Sequence, residues 1–359
     1  MSEITNKMIK DNKTRGLFDE HFRYEKITKQ KDPLLKLDRL IDWSIFVPIL
    51  EAVFQKEEPK GKGGRPHYDY LLIFKILILQ RYYNLSDDQI EYQILDRLSF
   101  MRFLKLTIAD DVPDSKTIWL FRESVTNEGI IEKMFENFGK ILLEKGFIGH
   151  EGKIVDASFV EVPRQRNTRE ENDKLKAGEL PEKWDDNQNK LEQKDMDAKW
   201  TKKNGVSFYG YKNHVKGDNK SKLITKYKVT DASVHDSQVL EDLIEPTDKN
   251  EAMFADSAYS GEPISEMLEG KEVINKIHEK AYKNKPLTEE QKKSNKEKSS
   301  TRVRVEHIFG FVENSMNGSF IKSIGIVRAT GIIGMMNITY NMFRYIQLCD
   351  LQGISVPIR

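Results

Sequence analysis

The sequence predicts an α/β (α+β) protein in which a helical amino-terminal region precedes a mixed β-sheet. In residues 1–149, apolar side chains recur at helical spacing between polar cap residues. From Gly152 the spacing changes to period two and β-branched residues become frequent, as expected of strands. Strand-like and helix-like segments then alternate along the chain. We therefore predict a helical region at 1–149, a sheet-containing domain at 150–348 and a tail at 349–359.

Composition limits where such a protein works. The chain has 359 residues, 38% hydrophobic and 32% charged, which predicts a soluble globular protein with room for two domains. No apolar run approaches the roughly 18 residues that span a bilayer, and the amino terminus lacks the apolar core of a secretory signal. The single Cys349 excludes an internal disulfide framework and a multi-cysteine zinc site. We expect a cytoplasmic protein.

The amino-terminal region has the pattern of short capped helices. Its basic stretch at 60–66 is predicted as a connector, because no strand precedes the glycines and no Gly-Lys-Ser/Thr follows. Helix-turn-helix DNA-binding domains and ordinary helical bundles both contain such helices, and no distinctive recognition helix separates the two possibilities. The predicted helices lie at 68–83, at Asp87–Leu98 after a turn and cap at 84–87, after the cap residue Asp114 or Ser115, and at Ile130–Lys145, which Gly146 ends.

The first predicted strand, Gly152–Val162, carries an aspartate in its middle. Ile154, Val155 and Val160 are typical of a central, buried strand. A charged side chain there is costly to desolvate unless it is paired or binds a metal, so Asp156 is a candidate site residue. A carboxylate that only accepts hydrogen bonds near a strand end is an equally good interpretation of this strand alone.

Two polar stretches interrupt the sheet-containing domain. Residues 163–204 are predicted as a loop insertion that contacts something, with Leu175, Trp184 and Trp200 as apolar anchors. Residues 276–304 hold ten basic and four acidic residues, an excess of six positive charges. Because the whole chain has a net charge of only +1, nucleic-acid binding depends on such local basic tracts. A solvated lysine-rich loop is the other interpretation of this tract.

A β-hairpin is predicted at Val206–Val215 and Leu223–Thr230. Lys212 and His214 are two residues apart, so their side chains project from the same face of the first strand. If the hairpin lies beside Asp156, these two side chains are candidates for gripping phosphates. An ordinary exposed strand face is the alternative.

A second aspartate follows another short strand. After a helix predicted at Val234–Leu243, the strand Glu251–Ala255 ends in Asp256, and a further strand is predicted at Lys271–Ile277. This placement resembles that of Asp156. Paired strands lie about 4.8 Å apart, so two such aspartates can approach each other.

The helix predicted at Thr301–Met316 brings a third carboxylate. Arg302, Glu306 and Glu313 project beside its apolar stripe, where packed backbone gives way to solvent. Glu306 is therefore predicted to be held in place yet reachable. On this stretch alone, a surface helix with an Arg302–Glu306 pair is the simpler interpretation. The stripe is predicted to consist of Val305, Ile308, Phe309, Val312 and Met316.

The residue types present exclude several kinds of active site. The sequence has no Gly-x-Ser-x-Gly turn of a serine hydrolase and no His or Cys cluster for zinc. Carboxylate oxygens suit Mg²⁺ or Mn²⁺, and two such ions about 3.5 to 4 Å apart promote phosphodiester chemistry. The order strand, hairpin, helix, strand, helix, with Asp, Asp and then Glu, is that expected of an RNase H-like core for nucleotidyl transfer.

With these residues in order, about residues 60–348 resemble the DDE transposases of bacterial insertion sequences, in the IS-five-type branch. Each motif is weak singly, whereas the ordered set is specific. In the helical region the motifs are GRP at 64–66, YNLSD at 83–87 and PDSKT at 113–117. In the sheet-containing domain they are IVDAS at 154–158, YGYKNH at 209–214, VHDS at 234–237, ADSAY at 255–259 and RVRVEHIFG at 302–310.

The resemblance implies that Asp156, Asp256 and Glu306 form a catalytic triad that binds Mg²⁺ as two ions, with Mn²⁺ as a substitute. Arg302 matches the Arg-x-x-x-Glu element of the family's glutamate helix. The resemblance further implies cleavage at the terminal inverted repeats of an insertion sequence and joining of the freed 3′ hydroxyls to target DNA. A catalytically silent DNA-binding descendant and an RNase H-like nuclease without strand transfer are the alternative functions.

DNA contact is assigned to Lys212, His214, Arg302 and Arg304, and residues 1–149 are assigned to DNA binding and dimerisation. Because two DNA ends must be handled together, family analogy predicts a homodimer or larger assembly on double-stranded DNA. Two positions depart from the family pattern. Related members often carry a tyrosine three residues before the arginine and a lysine seven residues after the glutamate. The residues found there are Ser299 and Glu313.

Overall fold

The computed structural model describes residues 19–30, 32–54, 67–181, 184, 188–282 and 285–354. The connector predicted at 60–66 lies outside the described residues. Within them, the predicted fold class is confirmed: a helical amino-terminal region precedes a domain with a mixed sheet. No helix in the described part of the chain is long and apolar enough to cross a membrane.

Helices form the amino-terminal region, as predicted. Ser86 accepts a hydrogen bond from the N–H of Gln89 and begins one predicted helix, and Asp114 accepts one from the N–H of Thr117 at 2.7 Å and begins the next. Gly146, with φ of +73°, follows the last helix of this region. The α-helices are α1 Asp19–Lys29, α2 Pro33–Leu40, α3 Val47–Phe54, α4 Tyr70–Tyr82, α5 Asp87–Asp96, α6 Leu98–Leu104, α7 Ser115–Asn127 and α8 Ile130–Glu144.

A six-stranded mixed sheet forms the centre of the following domain. Its strands are β1 Lys153–Glu161, β2 Lys199–Lys203, β3 Val206–Asp218, β4 Ile224–Asp231, β5 Ala252–Phe254 and β6 Ile274–Asn275. The order is β2-β3-β1-β5-β6, and β4 also pairs with β3. The predicted hairpin is thus confirmed as β3 and β4. β1 is antiparallel to β3 and parallel to β5, which places β1 at the centre of the sheet.

The later helices correct two predictions. They are α9 Arg169–Lys176, α10 Gln188–Glu192, α11 Leu240–Leu243, α12 Glu262–Gly270, α13 Glu289–Arg302, α14 Glu306–Met316 and α15 Ile326–Leu351. The insertion predicted as a loop at 163–204 contains α9, α10 and β2, because Trp184 is fully buried and β2 completes the sheet beside β3. The helix predicted at Val234–Leu243 is instead a 3₁₀ turn at Asp236–Gln238 followed by α11, which has only four residues.

The sheet is buried on both faces. Successive residues of β1 point to opposite sides, so Ile154 joins the large core and Val155 joins a smaller core with Met253 and Tyr259. The 26-residue helix α15 packs against β4 and against α2, α4, α7 and α8, so the helical region and the sheet share the large core. The tail predicted from residue 349 begins inside α15, where Cys349 is fully buried.

Candidate active site

Asp156 lies in the middle of β1 and is only 8% exposed. Its Oδ1 accepts a hydrogen bond from the N–H of Ala157 at 2.8 Å, and its Oδ2 accepts one from Nη1 of Arg302 at 2.6 Å. Burial is the main cause that raises the pKa of Asp156 to about 6; Asp256 acts in the same direction, while Ala157 and Arg302 oppose it. The two hydrogen bonds therefore do not offset the cost of burying the ionised carboxylate. A further positive charge nearby would stabilise it.

Asp256 comes beside Asp156 because of the strand register. Ile154 of β1 lies next to Phe254 of β5 in the parallel pair, and each aspartate follows two residues later. The Oδ1 atom of Asp256 accepts a hydrogen bond from the N–H of Ala258 at 2.8 Å, which caps a 3₁₀ turn and fixes the carboxylate. The predicted approach of two aspartates on neighbouring strands thus arises from a parallel pairing, which brings both to one end of the sheet.

A break in the predicted helix sets the position of Glu306. The continuous helix predicted at Thr301–Met316 is wrong at its start, since α13 ends at Arg302 and a 3₁₀ turn at Val303–Val305 precedes α14. β-branched residues in this turn disfavour the α-helix. The Glu306 side chain is 61% exposed, and its Oε1 lies 4.0 Å from Nη2 of Arg302, which binds Asp156 more closely. The predicted stripe is confirmed as buried: Val305, Ile308, Phe309, Val312 and Met316.

One open cavity of about 840 Å³ is lined by all three predicted catalytic carboxylates. Glu313 lines it as well, and burial, followed by the charge of Glu306, raises the pKa of Glu313. The acidic residue that stands where the resemblance predicts lysine therefore faces the same space. The lining residues that were not predicted as site residues include Lys203 and the stacked rings of Phe159 and Phe208, whose centroids lie 4.2 Å apart.

Lys203 was not predicted as a site residue, because the insertion that contains it was interpreted as a loop. The segment 199–203 does alternate, with Trp200 and Lys202 on one side and Lys203 on the other, which is a weak strand signal. Only its pairing with β3 places Lys203 on the cavity wall. The charge of Lys203 lowers the pKa of Asp156, although less than Arg302 does.

The aspartate pair fits the predicted divalent cations. A hard cation takes oxygen ligands, and a buried carboxylate with a raised pKa beside a second carboxylate is stabilised by positive charge. Among the described residues, however, no group of three or more His, Cys, Asp or Glu side chains is arranged to hold one ion. Glu306 turns toward Arg302 and lies on the rim of the shared cavity. The two-ion arrangement stays a prediction.

Lys212 and His214 are buried, which contradicts their predicted contact with DNA. Lys212 is 7% exposed, and its Nζ donates to the carbonyl of Val234 at 2.7 Å and to Oδ1 of Asp236 at 2.8 Å. The fully buried His214 has Nε2 2.9 Å from Oγ1 of Thr230, and burial lowers its pKa to about 4. The segment after β4 folds over this face of β3, so neither the predicted DNA contact nor the alternative of an exposed face holds.

The side chains of Arg302 and Arg304 point to different parts of the molecule, although only one residue separates them in the sequence. Arg302 is 25% exposed in its side chain and lies on the cavity wall beside Asp156. Arg304 is exposed and points to the β3–β4 turn, where its Nη1 donates to the side-chain Oδ1 of Asn219 at 2.8 Å. Their DNA contacts stay predictions.

Comparison with known proteins gives two family matches. Residues 148–342 match the family described as Transposase DDE domain, and residues 22–124 match the family described as Transposase domain (DUF772). The first match covers more than half of the chain, so this protein belongs to the Transposase DDE domain family. The predicted relationship to DDE transposases is confirmed, whereas the IS-five-type branch stays a prediction.

A solved structure also resembles this fold at a distance. It is the cryo-EM structure of a piggyBac transposase synaptic complex with hairpin DNA, with 15% sequence identity and a TM-score of 0.44. The match covers 91% of this chain and 77% of that chain. Family membership, rather than this remote likeness, assigns the protein to DNA transposition and its second domain to the DDE type of enzyme.

Proposed function

We propose that this protein is a Mg²⁺-dependent transposase that cleaves DNA at the terminal inverted repeats of an insertion sequence and joins the freed 3′ hydroxyls to target DNA. The observation that supports it most is the convergence of Asp156, Asp256 and Glu306 on one open cavity in a chain of the Transposase DDE domain family. These residues come from β1, from the end of β5 and from the start of α14. Asp156 and Asp256 would hold Mg²⁺ or Mn²⁺, with Glu306 as the third ligand.

The residues around this cavity have separate tasks. Bound divalent ions supply polarisation of the scissile phosphate and activation of a hydroxyl nucleophile. Asp156 is kept in one orientation by the N–H of Ala157 and by Arg302. Arg302 also keeps part of its guanidinium open to the cavity, where it presents positive charge to a phosphate. The stacked rings of Phe159 and Phe208 form a rigid apolar part of the wall.

The substrate of this chemistry would be double-stranded DNA, first the element's own ends and then the target. Both ends have to be cut and joined in concert, so we infer a homodimer or larger assembly on DNA. The helical region would contribute DNA binding and dimerisation. Support for that role is the match of residues 22–124 to a transposase domain family.

The test is cleavage of a duplex that carries the element's terminal repeat, with Mg²⁺ or Mn²⁺. Asp156→Asn, Asp256→Asn and Glu306→Gln should each reduce the cleavage rate by about 10²- to 10³-fold, the size expected when one transition-state stabilising group is lost. Glu161→Gln is the matched control, because Glu161 lies on the same strand and lines the same cavity. It should retain most of the wild-type rate.

Three outcomes would overturn parts of this proposal. Wild-type cleavage by any of the three variants removes that residue from the catalytic set. Binding to the repeat without any nicking in Mg²⁺ or Mn²⁺ identifies a silent DNA-binding descendant. Cleavage without joined products in an integration assay identifies a nuclease without strand transfer. Thermal unfolding of each variant shows whether lost activity reflects lost chemistry or lost folding.

A further inference from the structure

A cleft between α14 and α15 lies next to the candidate active site. Its volume is about 460 Å³, and its walls include His307 and Phe311 of α14 and Tyr340 and Arg344 of α15. Glu306 lines both this cleft and the cavity with the aspartates. The cleft therefore borders the site of the proposed chemistry, with Glu306 on the walls of both.

Three cations from separate elements lie close together beside this cleft. Arg344 of α15 lines it. Lys222 is on the β3–β4 turn, and its carbonyl accepts a hydrogen bond from Tyr340 of the cleft wall. Arg304, from the 3₁₀ turn before α14, donates to Asn219 of the same β3–β4 turn. We call these three cations the basic cluster. Each of the two arginines lowers the pKa of Lys222, after burial as the largest cause, so the three charges act on one another. Like charges brought together repel, and the arrangement costs free energy unless an anion binds there.

Neutral groups rather than carboxylates hold the two arginines. Nη1 of Arg304 donates to the carbonyl and side-chain oxygens of Asn219 at 3.2 and 2.8 Å. Arg344 donates from Nε to the carbonyl of Ser221 at 2.6 Å and from Nη1 to Oε1 of Gln347 at 3.0 Å. These contacts fix the direction of each guanidinium but leave its charge in place.

Within the described ranges, no carboxylate lies within ion-pair distance of any member of the basic cluster. The neighbouring Lys220 on the same turn is different, because it pairs with Glu151. The three members of the basic cluster therefore differ from this neighbouring lysine, whose charge is already paired.

The turn that carries Lys222 is rigid. Lys222 has φ of +62°, and its carbonyl accepts a hydrogen bond from the hydroxyl of Tyr340 at 2.7 Å. Oδ2 of Asp218 accepts hydrogen bonds from the N–H and the hydroxyl of Ser221 at 2.8 and 2.7 Å. These bonds fix the backbone that presents the Lys222 side chain, which lowers the entropy cost of ordering this turn when an anion binds.

We propose that Lys222, Arg304 and Arg344 bind backbone phosphates of the DNA duplex whose strand passes Glu306 into the active site. Guanidinium groups match phosphate oxygens in a bidentate geometry, and several neighbouring cations together neutralise the successive phosphates of a DNA backbone. The inference rests on the proposed function for the identity of the strand. It adds a phosphate-binding surface that is separate from the catalytic carboxylates.

The test measures DNA affinity against salt concentration with EDTA present, so that it does not depend on cleavage. Each phosphate contact contributes about 0.9 to the slope of log affinity against log salt. The triple variant Lys222→Gln, Arg304→Gln, Arg344→Gln should therefore lower the magnitude of the slope by about 2 to 3. Glutamine removes the charge at each position and keeps a polar side chain that can form hydrogen bonds.

The control is a second triple variant with the same change in net charge: Lys228→Gln, Lys249→Gln, Lys271→Gln. Each of these lysines already pairs with a carboxylate, namely Asp242, Glu272 and Glu241. If net charge alone governed binding, both triple variants would change the slope equally, and the proposal would fall. A slope that decreases only in the basic-cluster variant supports it.

Two duplexes of equal length distinguish the source of the phosphates. A decrease in slope confined to the repeat-containing duplex assigns the basic cluster to the element's end; a decrease with an unrelated duplex as well assigns it to any DNA, including the target. An unchanged slope with both overturns the proposal. Should the triple variant unfold, the single variants Lys222→Gln and Arg344→Gln are measured against Lys222→Arg and Arg344→Lys, which are expected to preserve the slope.

Discussion

Neighbouring strands β1 and β3 both carry charges into the interior, and Asp156 of β1 differs from the buried lysines of β3 in how it is paired. On β3, Lys216 is fully buried with Nζ 2.6 Å from Asp248 and 2.7 Å from Glu245, and Lys212 is likewise paired with a carboxylate. On β1, Asp156 is bound by Arg302 yet remains open to a cavity shared with other carboxylates. Each of the two lysines is thus paired with a carboxylate out of reach of the cavity, whereas Asp156 faces a space in which a ligand can bind.

This difference separates structural from functional charge. A buried ion whose partners are complete gains little from a ligand, and its loss destabilises the fold. A buried ion whose partners are insufficient keeps a perturbed pKa, as Asp156 does at about 6, and is stabilised by an added charge. We therefore expect substitutions on β3 to change stability and substitutions around the cavity to change binding or activity.

The largest expected effect on stability is at Lys216. Lys216→Met leaves the fully buried Asp248 without its cation, which should lower the free energy of unfolding by about 3–5 kcal/mol in urea denaturation. The double variant Lys216→Met, Asp248→Leu should recover much of that loss, because no uncompensated charge remains. Lys220→Met, at an exposed pair on the adjacent turn, is the control and should have little effect. Equal losses at Lys216 and Lys220 would contradict the distinction.

A smaller effect is expected from the pH dependence at His214. Burial lowers its pKa from 6.5 to about 4, so the unfolded chain takes up a proton before the folded protein does. The contribution to stability is complete above pH 6.5, is lost as the pH falls from 6.5 to 4, and changes no further below that. In His214→Gln this part of the acid sensitivity should disappear, up to about 3 kcal/mol between pH 7 and pH 4.

Chemical denaturation at several pH values measures this difference between wild type and variant. His235→Gln is the matched control at an exposed histidine, and the wild-type pH dependence should persist in it. A parallel pH dependence of wild type and His214→Gln would mean that His214 is not buried in its neutral form.

The smallest expected effect is a change in DNA affinity at Glu313, which lines the same cavity as Asp156. Glu313→Gln removes a negative charge that lines the cavity and faces Glu306, so DNA binding in EDTA should tighten by about threefold at low salt. Fluorescence anisotropy of a labelled duplex measures this change. Glu266→Gln on α12, outside the cavity, should bind like wild type. Unchanged or weaker binding by Glu313→Gln would show that Glu313 does not face DNA.

Much of the fold follows from local sequence pattern. The caps at Ser86 and Asp114, the hairpin of β3 and β4, and the buried stripe of α14 were all predictable because each depends on residues a few positions apart. The β2 strand and the short segment at 234–243 were not, since their conformation depends on what they pack against. A strand at the sheet edge with a polar sequence has no strong signal of its own.

The sequence by itself singled out three candidate carboxylates by their positions: Asp156 inside an apolar strand, Asp256 after another and Glu306 beside an apolar stripe. The resemblance to DDE transposases grouped them as the proposed triad. Only the tertiary structure decided which of the remaining charged side chains form buried ion pairs. Lys212 and Lys216 find their acids 24 and 32 residues along the chain. The basic cluster likewise unites positions as far apart as Lys222 and Arg344. Whether a buried charge has a partner depends on packing between distant parts of the chain, so the local sequence pattern cannot predict it.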